Sequence, residues 1–386
     1  MDNMDKEEFI NAFGSLEEVK DEERGPYLSF IPKKLPPPIE FDQKLALALS
    51  KADSTLSKLS GVGLLLPNPD LLVTPYLKKE ALSSSRIEGT RISLSEFYLA
   101  EATGKEDKEP NASEVNNYIK AMNYALEKIR SQAIDLNLIR KMHEILMNQV
   151  RGKDKQPGEY RQIQNWIGPP NSRPQDASFV PPPPGIIPSL LQEMVDYLNT
   201  YDEMPLLIKT ALLHYQFETI HPFCDGNGRI GRALIVLHLC KKNKLTQPLL
   251  YISGFFEKYR TEYIRVLQEA NKRGEFSEWI LFFLEAIKEQ SQEALEKATK
   301  LQRLKETYRD KIQAETQSTS MLQAVDTLFI NPYMQITGLE RQIGATYPTA
   351  KRIVERLVEL HILKQINDAQ RNKTYLATEI MEIIDS

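Results

Sequence analysis

The chain has 386 residues, of which 49 are Lys or Arg and 53 Asp or Glu; 41% are hydrophobic and 26% charged, and the net charge is −4. That length suits two or three domains, and the near balance of charge gives no bulk electrostatic case for nucleic-acid binding. Neither an apolar run of about 18 residues nor a basic, apolar opening stretch is found, and Cys224 and Cys240 are too few for a disulfide scaffold, so the expectation is a cytoplasmic protein without a membrane span.

In chain order, the acidic opening to Glu23 is expected to be poorly ordered. After the break at Pro36, Pro37 and Pro38, apolar residues at three and four spacing predict helices over 41–59, 115–129, 136–147, 187–198, 206–217 and 230–239. A helix is also expected around Tyr76, Leu77, Glu80, Ala81 and Ser84, with Gly89 as its C′ residue. Residues 157–168 read as a hairpin bounded by Pro157 and Gly168, followed by prolines through Pro184. From Trp279 to about Glu315 a long charged helix is expected. Its narrow stripe of Ile287, Ala294, Ala298, Leu301, Leu304, Tyr308 and Ile312 would link domains or pair with a second copy. The remainder resembles a winged helix: a short helix over 336–343, a turn over 344–348, a recognition-type helix over 349–360 and a two-stranded wing over 363–377 around Asp368 and Asn372. The expected fold class is therefore mainly α, a helical bundle with one short β-hairpin plus a C-terminal winged-helix domain.

Residues that carry chemistry are concentrated in 221–232, HPFCDGNGRIGR. Gly226 and Gly228 permit a sharp turn whose N–H groups point into one concavity, and the apolar run from Ala233 puts that turn at a helix N-terminus, where unpaired N–H groups and the helix dipole favour anions. Arg229 and Arg232 are three apart, share a helix face and suit a polyphosphate. Asp225 offers the hard oxygen that Mg²⁺ takes together with phosphate oxygens. His221, with an ordinary pKa of about 6.5, suits proton removal at neutral pH. Taken singly, each has a plain explanation: a helix connection, a solvated arginine face, a histidine cap. Together in twelve positions they favour a phosphate site with its own base. A thiol metal site is not expected, since His214, His221, Cys224, His238 and Cys240 fit no common zinc spacing.

The same segment resembles the signature of Fic-domain proteins: His, any residue, Phe, any residue, Asp or Glu, Gly or Ala, Asn, Gly or Lys, Arg, two of any kind, Arg. The resemblance implies transfer of AMP from ATP to a Ser, Thr or Tyr hydroxyl of a target protein or of the chain itself, with release of pyrophosphate. Mg²⁺, with Mn²⁺ as an alternative, would sit at the phosphates. By position, His221 would be the base, Phe223 a loop anchor and Asp225 the metal ligand. Gly226, Asn227 and Gly228 would line the anion hole, with Asn227 counted beside His221 as catalytic, and Arg229, Ile230, Gly231 and Arg232 would complete the nucleotide-binding segment.

Three further stretches extend the resemblance. Residues 157–168, PGEYRQIQNWIG, are similar to the family's flap, where Gln164, Asn165, Trp166 and Ile167 would register an extended target segment by strand addition; Trp166 reads as readily as a core plug. Tyr259, Tyr263 and Ile264 resemble the region that closes on adenine, although family members often carry two adjacent tyrosines where this chain has Tyr263 and Ile264. Residues 83–90, SSSRIEGT, resemble the inhibitory motif, Ser or Thr, three of any kind, Glu, then Gly or Asn. Ser84 and Glu88 lie four apart on one helix face, and Glu88 would pair with Arg232 and withhold it from the ATP γ-phosphate. The same carboxylate could position water and remove AMP from a modified target.

The expected organisation is a loosely packed segment over 1–30, a helical region with the inhibitory motif over 31–110, the Fic core over 111–285, a linker helix over 286–320 and the winged helix over 321–386. Lys351, Arg352, Arg356, Arg371 and Lys373 could meet DNA phosphates, but Glu355 and Glu359 share the recognition-type helix, so DNA is a weakly supported partner beside a protein target and a homodimer. The sequence leaves two candidate functions: a self-inhibited AMP transferase, and an ATP-responsive transcriptional regulator that binds DNA through its winged helix. Transfer of label from α-labelled ATP by the Glu88→Gly form separates them.

Overall fold

The structure is a computed structural model that describes residues 4, 9–65, 69–150, 155–169, 171–201, 203–315, 318–367 and 372–386, apart from the side chains of residues 65 and 70. Gly14–Val19 (β1) and Tyr27–Pro32 (β2) form an antiparallel hairpin with Leu16 opposite Phe30. The poor order expected up to Glu23 is thereby corrected for β1. Its acidic residues face solvent while β2 buries Tyr27, Ser29 and Phe30, and the Phe30 N–H donates to the Val180 carbonyl at 2.9 Å. Pairing with a half-buried strand outweighs local acidity.

Beyond this hairpin the chain is mostly helical: α1 (Gln43–Leu65), α2 (Asp70–Ile87), α3 (Leu94–Ala102), α4 (Pro110–Lys128), α5 (Leu136–Leu146), α6 (Ile187–Asn199), α7 (Leu206–Ile220), α8 (Asn227–Lys241), α9 (Ser253–Lys258), α10 (Arg260–Arg273) and α11 (Phe276–Gln313). Starts are set by local chemistry: Ser93 and Glu96 make a capping box for α3, and Asp135 Oδ1 accepts the Leu138 N–H at 2.7 Å for α5. Nearly every side chain of α7 and α8 is buried, so these two antiparallel neighbours form the centre of the molecule, covered by α6, α4, α5 and α11. Consequently the segment joining α7 to α8 is held from both sides.

The hairpin expected at 157–168 is not a ladder. Among the described residues it is a loop closed by one bridge, in which Ile167 and Phe179 exchange backbone hydrogen bonds of 2.8 and 3.1 Å. Pro157, Pro169, Pro174 and Pro181 lack the N–H groups a longer ladder would need.

At the C-terminal end lie α12 (Thr319–Ile330), β3 (Tyr333–Gln335), α13 (Ile336–Ile343), α14 (Tyr347–Glu359), β4 (Lys364–Gln365), β5 (Thr374–Leu376) and α15 (Thr378–Asp385), with strand order β3-β5-β4, all antiparallel. Gly344, at φ 63°, ends α13 and turns the chain into α14. Buried Lys78 of α2 donates to Glu101 at 2.6 Å and to the Ile330 carbonyl at 3.2 Å, keying this end onto α2. The α11 stripe is covered by α1, α12 and α15 of the same chain, with Ile287, Ala294, Ala298, Leu301, Tyr308 and Ile312 buried. The expectation that this stripe pairs with a second copy is corrected: its apolar face is already used. Asp368 and Arg371 lie outside the described residues, whereas Lys351 pairs with Glu355 at 3.6 Å and Arg356 with both Glu359 and Glu315. Among the described residues no helix is long and apolar enough to cross a membrane.

Candidate active site

Between α7 and α8 the backbone makes two left-handed steps, at His221 (φ 50°) and Gly226 (φ 79°). Asn227 closes the loop between them: the Phe223 N–H donates to Asn227 Oδ1, and Asn227 Nδ2 donates to the Phe223 carbonyl, both at 2.8 Å. Phe223 is fully buried, and its ring lies 3.8 Å from that of His143 at 5°. His143 accepts the Gly158 N–H on Nδ1 at 2.9 Å, so its Nε2 carries the proton and donates to the Asp225 carbonyl at 2.9 Å. Burial pushes this imidazole down to about 4, which keeps it neutral, and the two hydrogen bonds select that tautomer. Sequence reading did not single out His143.

The loop supports a cavity of about 400 Å³, a size ordinary for a small-molecule site. His221, Asp225, Gly226, Asn227, Gly228 and Arg232 line it, joined by Glu88 from the end of α2, Trp166 and Ile167 from the 157–183 loop, and Tyr263 and Ile264 from α10. The Glu218 carbonyl can only accept, so the His221 Nδ1 facing it at 3.2 Å carries the proton and Nε2 is left with its lone pair. Burial pushes His221 down to about 4, assisted by the charge of Arg161. A neutral imidazole with a bare Nε2 on a cavity wall can take a proton.

Arg232, 1% exposed, is held by α2 and its C-cap: Nε donates to Ser84 Oγ at 2.9 Å, and Nη2 to the Ser84 carbonyl and to Glu88 Oε1, each at 2.8 Å. Burial would raise the Glu88 carboxyl, but Arg232 more than offsets it and holds it below the usual range. Gly228 leaves room for this pair, since a Cβ there would sit 2.2 Å from Glu88 Oε1. The helix is braced two turns earlier, where fully buried Glu80 accepts the Ser253 N–H at 2.9 Å and the Tyr118 hydroxyl at 3.2 Å. Asp225 Oδ1 accepts the Gly226 N–H at 2.6 Å and faces Arg229 Nη2 at 3.4 Å. Among the described residues no group of three or more His, Cys, Asp or Glu could hold a metal ion, so a divalent cation at Asp225 needs oxygens brought by a ligand.

Not every expected site residue reaches the cavity. Arg229, Ile230 and Gly231 are buried on α8 behind the loop, and Tyr259, 38% exposed, packs on Phe255 outside the cavity. Gln164 turns inward and donates to the Pro181 carbonyl at 2.8 Å, while Asn165 Nδ2 donates to the Phe223 carbonyl at 3.1 Å. Unforeseen lining residues include Glu218 and Thr219 of α7, Arg260 at the start of α10, and Leu267, Gln268 and Asn271 farther along it. The latter follow Tyr263 and Ile264 at helical spacing, a signal readable in the sequence.

Known proteins are similar to this chain in sequence and in fold. Residues 133–239 match the Fic/DOC family. Residues 46–127, which include Ser84 and Glu88, match the Fic/DOC family N-terminal model. A probable protein adenylyltransferase of Aquifex aeolicus is 28% identical over 201 residues, covering 50% of this chain and 55% of that protein. Protein adenylyltransferase Fic of Drosophila yakuba is 32% identical over 127 residues, covering 31% of this chain and 23% of that protein. The match thus spans about half, or less, of these relatives' length. A crystal structure of a Fic family protein from Desulfovibrio desulfuricans G20 aligns with TM-score 0.57 at 19% identity, covering 89% of this chain and 98% of that one, which shows a shared fold.

Proposed function

We propose that the chain is a self-inhibited protein adenylyltransferase, moving AMP from ATP to a Ser, Thr or Tyr hydroxyl of a target protein or of itself. The observation that carries this reading is the neutral His221, its Nε2 free, in one cavity with the 225–228 loop and Arg232. His221 Nε2 takes the hydroxyl proton, the hydroxyl oxygen bonds to the α-phosphorus, and the bond to the bridging oxygen breaks so that pyrophosphate leaves with its electron pair. Asn227 shapes the loop whose N–H groups donate to the phosphates, and Arg232, once free of Glu88, meets the outer phosphate. Asp225 would hold Mg²⁺, or Mn²⁺, together with phosphate oxygens; that ion supplies charge neutralisation across the phosphates. Tyr263 and Ile264 would flank the adenine, and the exposed Ile167 side chain would meet the target segment.

Glu88 is the inhibitory residue in this reading, because its carboxylate uses the guanidinium that the γ-phosphate needs; the same carboxylate can hold water for AMP removal. We read the organisation as 31–110 inhibitory, 111–285 catalytic, 286–320 linking and 321–386 winged helix, in a cytoplasmic setting that suits two free cysteines. The winged helix is better fitted to a protein partner than to DNA, since Lys351 and Arg356 are paired with glutamates. Incubating the Glu88→Gly form with α-labelled ATP and Mg²⁺ should label protein, with His221→Ala abolishing it. No label, together with an ATP-dependent shift of a DNA complex, would favour a transcriptional regulator instead.

A further inference from the structure

Arg161, 1% exposed, is one of the largest fully buried side chains, and among the described residues no carboxylate pairs with it. Its donors go to backbone carbonyls from two places. Nη1 donates to Ile163 at 3.3 Å and Nη2 to Pro182 at 2.5 Å, which are the two stems of the 160–183 loop. Nε donates to His221 at 2.9 Å, Nη2 also reaches Ile220 at 3.5 Å, and the Arg161 N–H donates to Pro222 at 2.9 Å. A planar fork with five N–H groups is the side chain that can serve so many converging acceptors at fixed angles.

The carbonyl held by Nε belongs to His221, which stands in the left-handed region at φ 50°. A non-glycine residue there persists when its surroundings over-determine it. Without the fork, the His221 carbonyl is a partly buried acceptor lacking that partner, and the peptide has reason to rotate and carry the imidazole with it.

We propose that Arg161 is a positioning residue that fixes the His221 imidazole relative to the 163–167 edge, so that a target segment docked there presents its hydroxyl to Nε2. This rests on His221 being the base. Burial pushes the guanidinium down only to about 10, so it stays charged at neutral pH. Arg232, on the cavity wall opposite the proposed outer phosphate, is held through Ser84, by contacts that do not involve Arg161 and do not need Glu88. Rate and nucleotide affinity therefore respond differently to its loss.

The test uses Arg161→Lys and Arg161→Met in the Glu88→Gly full-length chain, with label transfer from α-labelled ATP and calorimetric titration of ATP measured side by side. Arg161→Lys, which keeps the charge and loses the fork, should lower the transfer rate about 10²-fold, the scale of a 1 Å misplacement, while the ATP Kd stays within about 3-fold. Arg161→Met should lose more rate with the same small change in Kd; if it fails to fold, the Lys form decides alone. A rate within about 3-fold of the parent, or a Kd that weakens in proportion to the rate, overturns the proposal. If the Glu88→Gly parent with Arg161 intact labels nothing, the transferase reading itself has failed.

Discussion

Glu88 Oε1 lies 2.8 Å from Arg232 Nη2, joining the end of α2 to the first turns of α8 across 144 positions of sequence. The arginine is enclosed while the carboxylate side chain keeps 35% of its surface, so the contact is neither a surface ion pair nor a fully dry one. A hydrogen bond between charged groups in such a setting contributes about 1.5–3 kcal/mol, equivalent to about 10–100-fold in an equilibrium that Glu88 must leave before nucleotide engages Arg232. Glu88→Gly should therefore raise labelling by about that factor, and Ser84→Ala by less, since Ser84 also holds Arg232 through its carbonyl. Because the Glu88 carboxyl is held below its usual range, the clasp persists at neutral pH and is lost only in acid. Equal labelling by wild type and Glu88→Gly would remove the inhibitory role.

The pH dependence of transfer follows from His221. Its folded-state pKa of about 4 leaves the base neutral across about pH 6 to 8, so the rate of the Glu88→Gly form should be nearly flat there. Glu218 is the cavity group able to bend that profile, its carboxyl being raised to about 7 by burial and by Glu88, against the pull of Arg232. Because Glu88→Gly removes one of the charges that raise it, a bend below pH 7 that disappears in Glu218→Gln belongs to that carboxyl. A bend near pH 6.5 that survives it means the imidazole is solvated during turnover.

The loop at 221–232 was readable because twelve contiguous residues contain both the turn and its chemistry, and the Ser84 to Glu88 spacing placed both on one face of α2. Their long-range pairing with Arg232 was readable only through the family resemblance, since nothing local to Glu88 names its partner. Of the two tyrosines at the start of α10, only Tyr263 reaches the cavity wall. Tyr259 caps that helix and packs outward, whereas Tyr263, Leu267 and Asn271 recur once per turn on the inner face. The β1–β2 hairpin was missed because an acidic strand looks solvated until an apolar partner farther along the chain covers it. His143 and Arg161 act through backbone atoms distant in sequence, a kind of contact that residue type and spacing do not reveal.

Gly231 owes its identity to Glu218. A Cβ at 231 would lie 2.2 Å from Glu218 Oε1 and 3.0 Å from Phe217 Cδ1, and that carboxyl oxygen is buried with no hydrogen-bond partner among the described residues. Gly231→Ala should cost about 1–3 kcal/mol by overpacking, and the cost should fall by about 1 kcal/mol or more in a Glu218→Ala background. Urea unfolding of the four members of this cycle measures the difference. Additive losses would show that Glu218 is not what crowds residue 231.

Three of the five histidines, His143, His214 and His238, are buried and held by that burial at about 4, 3 and 3. In the unfolded chain each returns to about 6.5, so between about pH 6.5 and 4 the unfolded state binds more protons than the folded one. Their folded pKa values are depressed, which means the stability they contribute is present above about pH 6.5 and is lost as pH falls through that window. The loss approaches about 1.4 kcal/mol per pH unit for each group, and His221, also pushed down to about 4, adds a fourth, for about 5–6 kcal/mol per unit together. Urea unfolding at about pH 7, 6 and 5 should show stability nearly constant above 6.5 and falling steeply below it. His238, whose Nδ1 lies 3.0 Å from Thr210 Oγ1 in the core, makes no contact with the 221–232 loop's chemistry through that bond, so His238→Gln should reduce the slope by about a quarter without altering nucleotide binding. Stability independent of pH between about 7 and 5 would mean that these imidazoles are accessible to protons in the folded chain.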